Sequence, residues 1–451
     1  MKLQKYLNSN YTNFNNSECY IFYPKKKIDI IKLIDYAKKN KKKVLPIGSG
    51  LSWFDTIFNT DNIIIDLKKM KKKFVFDKYK GELIISTGYK IHEVISKLNK
   101  YGWSLYSIPG GDDVSIGGCL GNDVHGKDSF KYGNFSQNIL ELEIILPNKK
   151  IVKCSKKLNK EIFQSACGGL GLIGVITEVK LNLKPITKFY QTTTITCENY
   201  KDLVTNLYKD LDKFEYINGW VDIFAKNKNL GRSIIFKSKK KLSKDIKNDN
   251  LNTSKFFNII QNFIFGFCVR NNLVKYINYL IYNLFKLKKV NINTYKAITF
   301  PLSSHGVDIK KTIYPYSFFE IQIIIEKKNI KSDLKDFISM CQKLNLSGFV
   351  IGIKIHQKNN NYLSFSQNGI SINVNQIFNE QKNFSVELLN LKKLHDYVLK
   401  KGHKIYLCKD FLFNQKKINQ NYPNFRKFLI IKKKYDKENL FYSDFFKRVT
   451  N

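Results

Sequence analysis

The chain has 451 residues, of which 43% are hydrophobic and 14% aromatic, so it is long enough for two or three domains and too apolar for a disordered protein. Its 77 Lys and Arg residues outnumber 37 Asp and Glu residues and give a formal net charge of +40. Such a charge attracts anionic partners, but lysines spread along the whole chain favour a compositional bias over a nucleic-acid interface, so we expect no nucleic-acid partner.

The predicted elements of the first part of the chain alternate between strands and helices, which is typical of layered α/β architecture. The predicted strands are residues 20–23, 43–47, 62–67, 83–86, 140–146, 149–154 and 175–183, and the predicted helices are residues 28–37 and 91–101.

After Pro185 glycine becomes rare, and the predicted strands become longer and alternate between apolar and polar residues. These strands are residues 192–196, 217–224, 233–237, 318–325, 349–356, 370–374 and 404–407. We therefore expect an α+β protein divided into segments 1–187, 188–400 and 401–451.

The eight cysteines form no CxxC pair, and no Cys and His spacing fits zinc, so we expect reduced thiols in a cytoplasmic protein and no bound metal. The first residues lack the apolar segment of a signal peptide, and no window reaches the roughly 18–20 apolar residues of a membrane span. Residues 256–289 place apolar side chains at helical spacing among basic ones. This pattern fits either a helix on an anionic membrane surface or a buried helix with a basic outer face.

Three glycine-rich segments, 48–50, 110–126 and 168–174, lie where predicted strands meet turns. Glycine allows backbone N–H groups to approach an anion closely, so three such segments in one domain favour a phosphate-bearing cofactor over ordinary tight turns. No GxxxxGK[ST] motif is present, and the GxGxxG spelling of residues 169–174 leads into a strand. A Walker-type loop and a Rossmann fold are therefore disfavoured.

Together the segments PIGSGLS (46–52), PGGDDVSIGG (109–118), NDVHGK (122–127) and CGGLGLIGVIT (167–177) resemble the FAD-binding PCMH-type domain of the vanillyl-alcohol oxidase superfamily, and within it the decaprenylphosphoryl-β-D-ribose oxidase branch. Later segments extend the resemblance over nearly the whole chain, namely GWVD (219–222), LGRS (230–233), FFEIQ (318–322), YLCKD (406–410) and FYSD (441–444). The resemblance implies a two-lobed FAD-binding domain, built from residues 1–187 and the returning segment 401–451, and an antiparallel-sheet substrate domain of residues 188–400.

The resemblance also implies which residues hold FAD. They are Gly48, Ser49, Gly50, Leu51, Ser52, Gly110, Ser115, Gly117, Gly118, Cys119, Asn122, His125, Gly126, Gly168, Gly171, Gly174, Val175 and Ile176. Many members of the superfamily carry, at the position of Leu51, a histidine that bonds covalently to the flavin. Because leucine cannot form this bond, we expect non-covalent FAD.

The catalytic residues implied by the resemblance are His125, Lys409 and Tyr406, and the substrate-binding residues are Gln322, Lys354 and Asn373. Lys409 follows an apolar strand, residues 405–407, and its ammonium group is suited to stabilise negative charge on a reduced flavin. Burying Lys354 between two isoleucines without an anion would be costly. The alternative for His125 is a structural histidine that hydrogen-bonds to a backbone group. The alternative for Lys409 is a lysine exposed to solvent. Asn373 lies in the strand where the family has an active-site cysteine, which hydride transfer does not require.

The resemblance implies hydride transfer to FAD from a secondary alcohol of a sugar, and we expect a polyprenyl-phosphate-linked pentose. This is the first half of an epimerisation that an NAD(P)H-dependent short-chain reductase would complete, in the cytoplasm or at the inner face of the plasma membrane. A quinone or oxygen would reoxidise the flavin. One alternative is an aldonolactone or alditol oxidase acting on a free sugar acid or polyol. The other is a basic nucleic-acid- or membrane-binding protein without catalysis.

Overall fold

The computed structural model describes residues 3–12, 14–70, 72–241, 255–271, 273–287, 289–304, 309–313, 316–378 and 384–451. In this part of the chain helices pack on antiparallel and mixed sheets, so the α+β class is confirmed. All eight cysteines lie in the described residues as free thiols. Among the described helices, none combines the length and the apolar character that crossing a bilayer requires.

The strands are β1 Gln4–Ser9, β2 Asn16–Phe22, β3 Val44–Ile47, β4 Ile63–Asp66, β5 Phe74–Asp77, β6 Glu82–Ser86, β7 Trp103–Leu105, β8 Ile139–Ile145, β9 Ile151–Cys154, β10 Val175–Pro185, β11 Phe189–Cys197, β12 Tyr216–Val221, β13 Ser233–Lys241, β14 Val290–Thr294, β15 Ser317–Glu326, β16 Gly352–His356, β17 Gly369–Phe378 and β18 Lys404–Ile405.

The helices are α1 Lys27–Lys39, α2 Ile91–Leu98, α3 Ile116–Gly121, α4 Ser129–Tyr132, α5 Lys160–Ala166, α6 Tyr200–Tyr208, α7 Lys255–Arg270, α8 Val274–Leu287, α9 Tyr295–Thr299, α10 Pro301–Ser304, α11 Ile309–Ile313, α12 Ile330–Lys343, α13 Phe384–Lys400, α14 Gln415–Asn421, α15 Phe425–Tyr435 and α16 Asp444–Thr450.

The strands form three sheets. The first, in the order β1, β2, β4 and β3, is mixed, because β4 runs parallel to both of its neighbours. The second, in the order β5, β6, β10, β8 and β9, is antiparallel, and β7 pairs with the end of β10. The third sheet is antiparallel and has the order β14, β11, β13, β12, β16, β17, β15 and β18. The chain end returns to the first sheet, where Phe441 forms a parallel bridge with Val44.

Strict alternation gives the centre of the third sheet one apolar and one polar face. On the apolar face, isoleucines of β15 and β17 belong to one core with residues of α12 and α13. On the polar face, Gln322 pairs with Asn373 and Glu320 with Asn375 between β15 and β17, and Lys354 of β16 pairs with Ser371. The register therefore gathers polar residues that are far apart in the sequence.

Several predicted strands are longer than the observed ones, and two of them lie beside the predicted site. The strand predicted at 349–356 begins at Gly352. The strand predicted at 404–407 ends at Ile405, and Leu407–Lys409 form a 3₁₀ turn in which Lys409 N–H donates to the Tyr406 carbonyl. The strand prediction was wrong here because backbone bonds bend the chain, since the Asp410 N–H also donates back to the Leu407 carbonyl. The buried Asp410 carboxylate then accepts the N–H groups of Leu412 and Phe413 in the residues that follow. Lys409 therefore projects from a turn.

Candidate active site

The three glycine segments meet in the fold. A Cβ on Gly48 would overlap Ser115 Oγ, so the first segment lies directly on the second. Gly171 of the third segment lies against Pro46, with 3.0 Å between its Cβ position and Pro46 Cγ. Gly168 N–H donates to the Leu120 carbonyl at 2.9 Å. Segments that lie more than a hundred residues apart in the sequence thus form one connected wall.

This wall leaves space for an extended ligand. Cβ atoms built on four of its glycines, namely Gly50, Gly110, Gly111 and Gly121, would have no atom within 4 Å. Asn122 Oδ1 and His125 Nδ1 are buried without a hydrogen-bond partner among the described residues. Bare backbone and unpartnered polar atoms are what a bound dinucleotide needs, so the residues present fit FAD.

Other predicted FAD residues are explained by packing within the protein. A Cβ on Gly174 would collide with the Ile145 carbonyl, and one on Gly126 would lie 2.8 Å from Ser107 Cα. Cys119 is fully buried, and burial raises the pKa of its thiol. Gly117 N–H donates to the Thr87 carbonyl, and Gly118 N–H donates to Ser115 Oγ. The remaining predicted FAD residues lie in the loop after β3 or at the start of β10, namely Ser49, Leu51, Ser52, Val175 and Ile176. Glycine in these motifs therefore serves chain packing as well as ligand approach.

His125 lies at the junction between the wall and the third sheet. The Gln322 amide donates to His125 Nε2 at 3.1 Å, which leaves the ring proton on Nδ1. Burial, followed by the charges of Lys354 and other neighbours, holds the pKa of His125 well below its ordinary value. The imidazole is therefore neutral at neutral pH, and its Nδ1 is available to a ligand.

Tyr406 packs beside this histidine, with 5.6 Å between the ring centroids. Its hydroxyl donates to the Asn122 carbonyl at 2.9 Å, and its backbone N–H donates to the Gln322 carbonyl. Burial raises the pKa of Tyr406 well above its ordinary value. Tyr406 thus links the glycine wall to the third sheet and keeps its proton.

Lys409 is held by a polar cluster on β15 and β17. Its ammonium group pairs with Glu320, and the second oxygen of Glu320 accepts from Asn375 at 2.6 Å and from Asn373 at 3.1 Å. The same ammonium group lies 4.6 Å from the ring centroid of Trp53, which follows the first glycine segment. Lys409 is therefore fixed between the third sheet and the glycine wall.

Asn373 is already occupied by protein contacts. Its side-chain nitrogen donates to Glu320 and to the Val350 carbonyl, and its side-chain oxygen accepts from Gly352 N–H at 2.8 Å. The geometry indicates that Asn373 positions Glu320, and through it Lys409.

Lys354 is half buried and has no hydrogen-bond or ion-pair partner among the described residues. Burial, followed by the charge of Lys409, lowers the pKa of Lys354 to about 8. Lys127 lies in the same region, and burial followed by the charge of Lys354 lowers the pKa of Lys127 to about 7. Lys409 pairs with Glu320, and the Lys127 ammonium group donates to the Ile298 carbonyl, so Lys354 is the lysine of this group without an acceptor among the described residues. A half-buried lysine in this state is suited to a ligand with negative charge.

Sequence reasoning missed Lys127, Glu320, Trp53 and His356. His356 Nε2 lies 2.8 Å from Ser371 Oγ, which also accepts from Gln322. Two of the missed residues belong to motifs that carry the family resemblance. Lys127 is the last residue of NDVHGK, and Glu320 lies two positions before Gln322 in FFEIQ, so both side chains of that strand point to the same face. Those two signals could have found them.

Two protein families match this chain, one over each part. Residues 19–155 match the FAD binding domain family, and residues 179–449 match the D-arabinono-1,4-lactone oxidase family. The chain is 24% identical to L-gulonolactone oxidase of Mus musculus over 435 residues, 93% of this chain and 92% of the relative. It is 22% identical to decaprenylphosphoryl-β-D-ribose oxidase of Mycolicibacterium smegmatis over 202 residues, 44% of each chain. It is 27% identical to D-arabinono-1,4-lactone oxidase of Candida glabrata over 168 residues, 36% of this chain and 32% of the relative.

Proposed function

Because the chain belongs to the D-arabinono-1,4-lactone oxidase family and is an FAD-dependent oxidoreductase acting on CH–OH groups, we propose that it oxidises a secondary alcohol of a phosphate-bearing sugar, such as a polyprenyl-phosphate-linked pentose. The observation that carries this proposal is Lys354, a half-buried cation that has no acceptor in the described part of the chain and lies near Lys127 and Lys409. A phosphate would supply the missing anion.

In the proposed reaction the cofactor, His125 and Lys409 have separate roles. Bound FAD supplies the acceptor for the hydride that leaves the alcohol carbon. Neutral His125 orients the substrate hydroxyl at Nδ1, and a half-turn of the Gln322 amide, whose oxygen is also unpartnered, would let Nδ1 accept the hydroxyl proton. Lys409 supplies positive charge against the negative charge of the reduced cofactor.

A second candidate is oxidation of a free aldonolactone. It is favoured by the family match over residues 179–449, which includes both Lys354 and Lys409, and by the long match to L-gulonolactone oxidase. A lactone carries no charge for Lys354 to bind. The two candidates therefore predict different consequences of removing that lysine.

Lys354→Met is expected to raise KM for a phosphate-bearing sugar by about tenfold or more and to leave KM for a neutral lactone nearly unchanged. Because the pKa of Lys354 is about 8, wild-type KM for the charged substrate should also rise as the pH rises through that value. Steady-state reduction of a dye acceptor measures both effects, with the exposed Lys358→Met as the control. Turnover of lactones alone, with KM insensitive to Lys354, would favour the second candidate.

We further propose that segments 1–187 and 401–451 form a two-lobed FAD-binding domain, with segment 188–400 over the flavin, and that the glycine wall holds the cofactor. Gly50→Ala is expected to weaken FAD binding at least about tenfold, because a methyl group would enter the cofactor's space. Gly402→Ala is the matched control, since both glycines have left-handed backbone, φ +69° and +76°, and neither Cβ would meet an atom within 4 Å. The flavin-to-protein absorbance ratio after dilution and gel filtration measures occupancy. Equal occupancy in the two variants would remove Gly50 from the cofactor site.

Leu51 underlies the proposal that FAD is bound without a covalent bond. Acid precipitation of the purified protein is expected to leave the yellow flavin spectrum in the supernatant. Colour that remains in the pellet would show a covalent attachment elsewhere in the chain.

A further inference from the structure

Helices α7 and α8 expose an unusual number of large apolar side chains. Seven of them are between 48% and 68% exposed and are called the α7–α8 face below, namely Phe263, Ile264, Phe267, Tyr276, Tyr279, Leu280 and Leu284. On α8 they recur at spacings of three and four residues, which places them on one side of the helix. Exposed apolar surface of this extent marks an interaction site.

The opposite sides of both helices are fixed to the protein. Val269 of α7 and Val274 of α8 are buried in one cluster with Phe318 and Phe349. Further along α8, Asn278 donates to the buried Asp222 carboxylate, and Tyr282 is 3% exposed. The α7–α8 face therefore points away from the core as a consequence of packing.

The charged residues of the segment that carries this face are all basic. Residues 255–289 contain six Lys and Arg residues and no Asp or Glu. On α8 the exposed Lys275 and Lys286 lie along one border of the apolar side chains, and Lys289 is exposed just beyond the helix. Apolar and tyrosine side chains bordered by lysines match the interface of a bilayer with anionic headgroups.

We propose that the α7–α8 face docks on an anionic lipid bilayer. The sequence pattern of this segment fits either a helix on a membrane surface or a buried helix. In this proposal the first interpretation applies to the exposed side of α7 and α8, and the second applies to their packed side. A buried helix with a basic outer face would not place seven large apolar side chains in solvent.

A series of packed aromatic rings connects helix α7 to the active site. Phe265 of α7 lies 6.4 Å from Phe349, which lies 6.0 Å from Phe318, and Phe318 lies 5.0 Å from Trp53, the ring beneath Lys409. Docking would hold the active site close to the membrane. Delivery of a lipid-linked substrate by this route rests on the proposed function, whereas docking itself does not.

Vesicle co-sedimentation of the FAD-bound full chain, without substrate, tests docking directly. The wild type is expected to sediment with vesicles of phosphatidylcholine and phosphatidylglycerol in a two-to-one ratio, and weakly with phosphatidylcholine alone. Leu280→Gln/Leu284→Gln should reduce binding about tenfold or more. The control is Val386→Gln/Leu389→Gln on α13, which removes two apolar side chains that are 60% and 51% exposed. Unchanged flavin absorbance shows that each variant is folded.

Equal sedimentation of the two double variants, or no wild-type binding to anionic vesicles, would overturn the proposal. A dimer in solution that dissociates in Leu280→Gln/Leu284→Gln, without vesicle binding, would assign the face to a second copy of the chain. Loss of sugar oxidation in every assay would leave vesicle binding unaffected, so the two proposals fail separately.

Discussion

Lys409→Met is expected to lower turnover about 10²–10³-fold while FAD stays bound, because it removes a fixed positive charge that opposes the charge of the reduced flavin. The ammonium group is held on one side by Glu320 and on the other by the Trp53 ring at 4.6 Å. A second readout needs no substrate: the midpoint potential of the bound flavin should fall, since the reduced form loses its stabilising charge.

The substitution leaves the Glu320 carboxylate buried without its cation, and this alone destabilises the fold. A double variant, Lys409→Met/Glu320→Gln, removes both charges and keeps the shapes of the side chains. We expect it to recover most of the lost stability but none of the lost turnover. Lys416→Met, at an exposed position of α14, is the control. Wild-type rates and potential in Lys409→Met would remove this lysine from the mechanism.

The parts of the site that lie within short motifs can be predicted from the sequence. The glycine segments and His125 are local signals, because a tight turn or a close backbone approach requires glycine at a fixed position. The α+β class is likewise predictable, since the period of apolar residues changes from helical to alternating along the chain. The roles of the individual residues remain predictions until they are tested.

The cluster around Lys409 could not be predicted in the same way. Glu320 and Lys409 are 89 residues apart, and they meet only because β15 pairs with β17 on one side and with β18 on the other. The apolar residues 405–407 predict a strand, and the turn at Leu407–Lys409 is apparent only from the backbone bonds that close it, from Lys409 N–H to Tyr406 and from Asp410 N–H to Leu407. Asn373 is predicted to bind substrate because it lies in the strand where the family has an active-site cysteine, and the sequence does not show that its amide donates to Glu320.

Arg448→Met is expected to reduce the free energy of unfolding by about 3–5 kcal/mol, the cost of removing one member of a buried ionic cluster. Arg448 lies on α16 and donates to both oxygens of Asp55, at 2.7 and 3.0 Å. It also donates to the Asp410 carboxylate at 3.2 Å and to the Phe413 carbonyl at 2.6 Å. His395 Nε2 lies 3.0 Å from the other Asp410 oxygen. Without the guanidinium group the buried Asp410 carboxylate and the partly buried Asp55 carboxylate would repel each other.

The effect should extend to the active site, where Lys409 contacts the Trp53 ring. Arg448 binds Asp55 and Asp410, and each of these lies close in the sequence to one residue of that contact. Asp55 follows Trp53 by two positions, and Asp410 follows Lys409 directly. Arg448→Lys keeps the charge but not the fork that reaches both carboxylates, so it should recover only part of the stability. Urea unfolding followed by release of flavin fluorescence measures the change, with the exposed Arg426→Met as the control. If Arg448→Met unfolds at the wild-type urea concentration, the cluster does not stabilise the turn, and the position of Lys409 must depend on Glu320 and Trp53 alone.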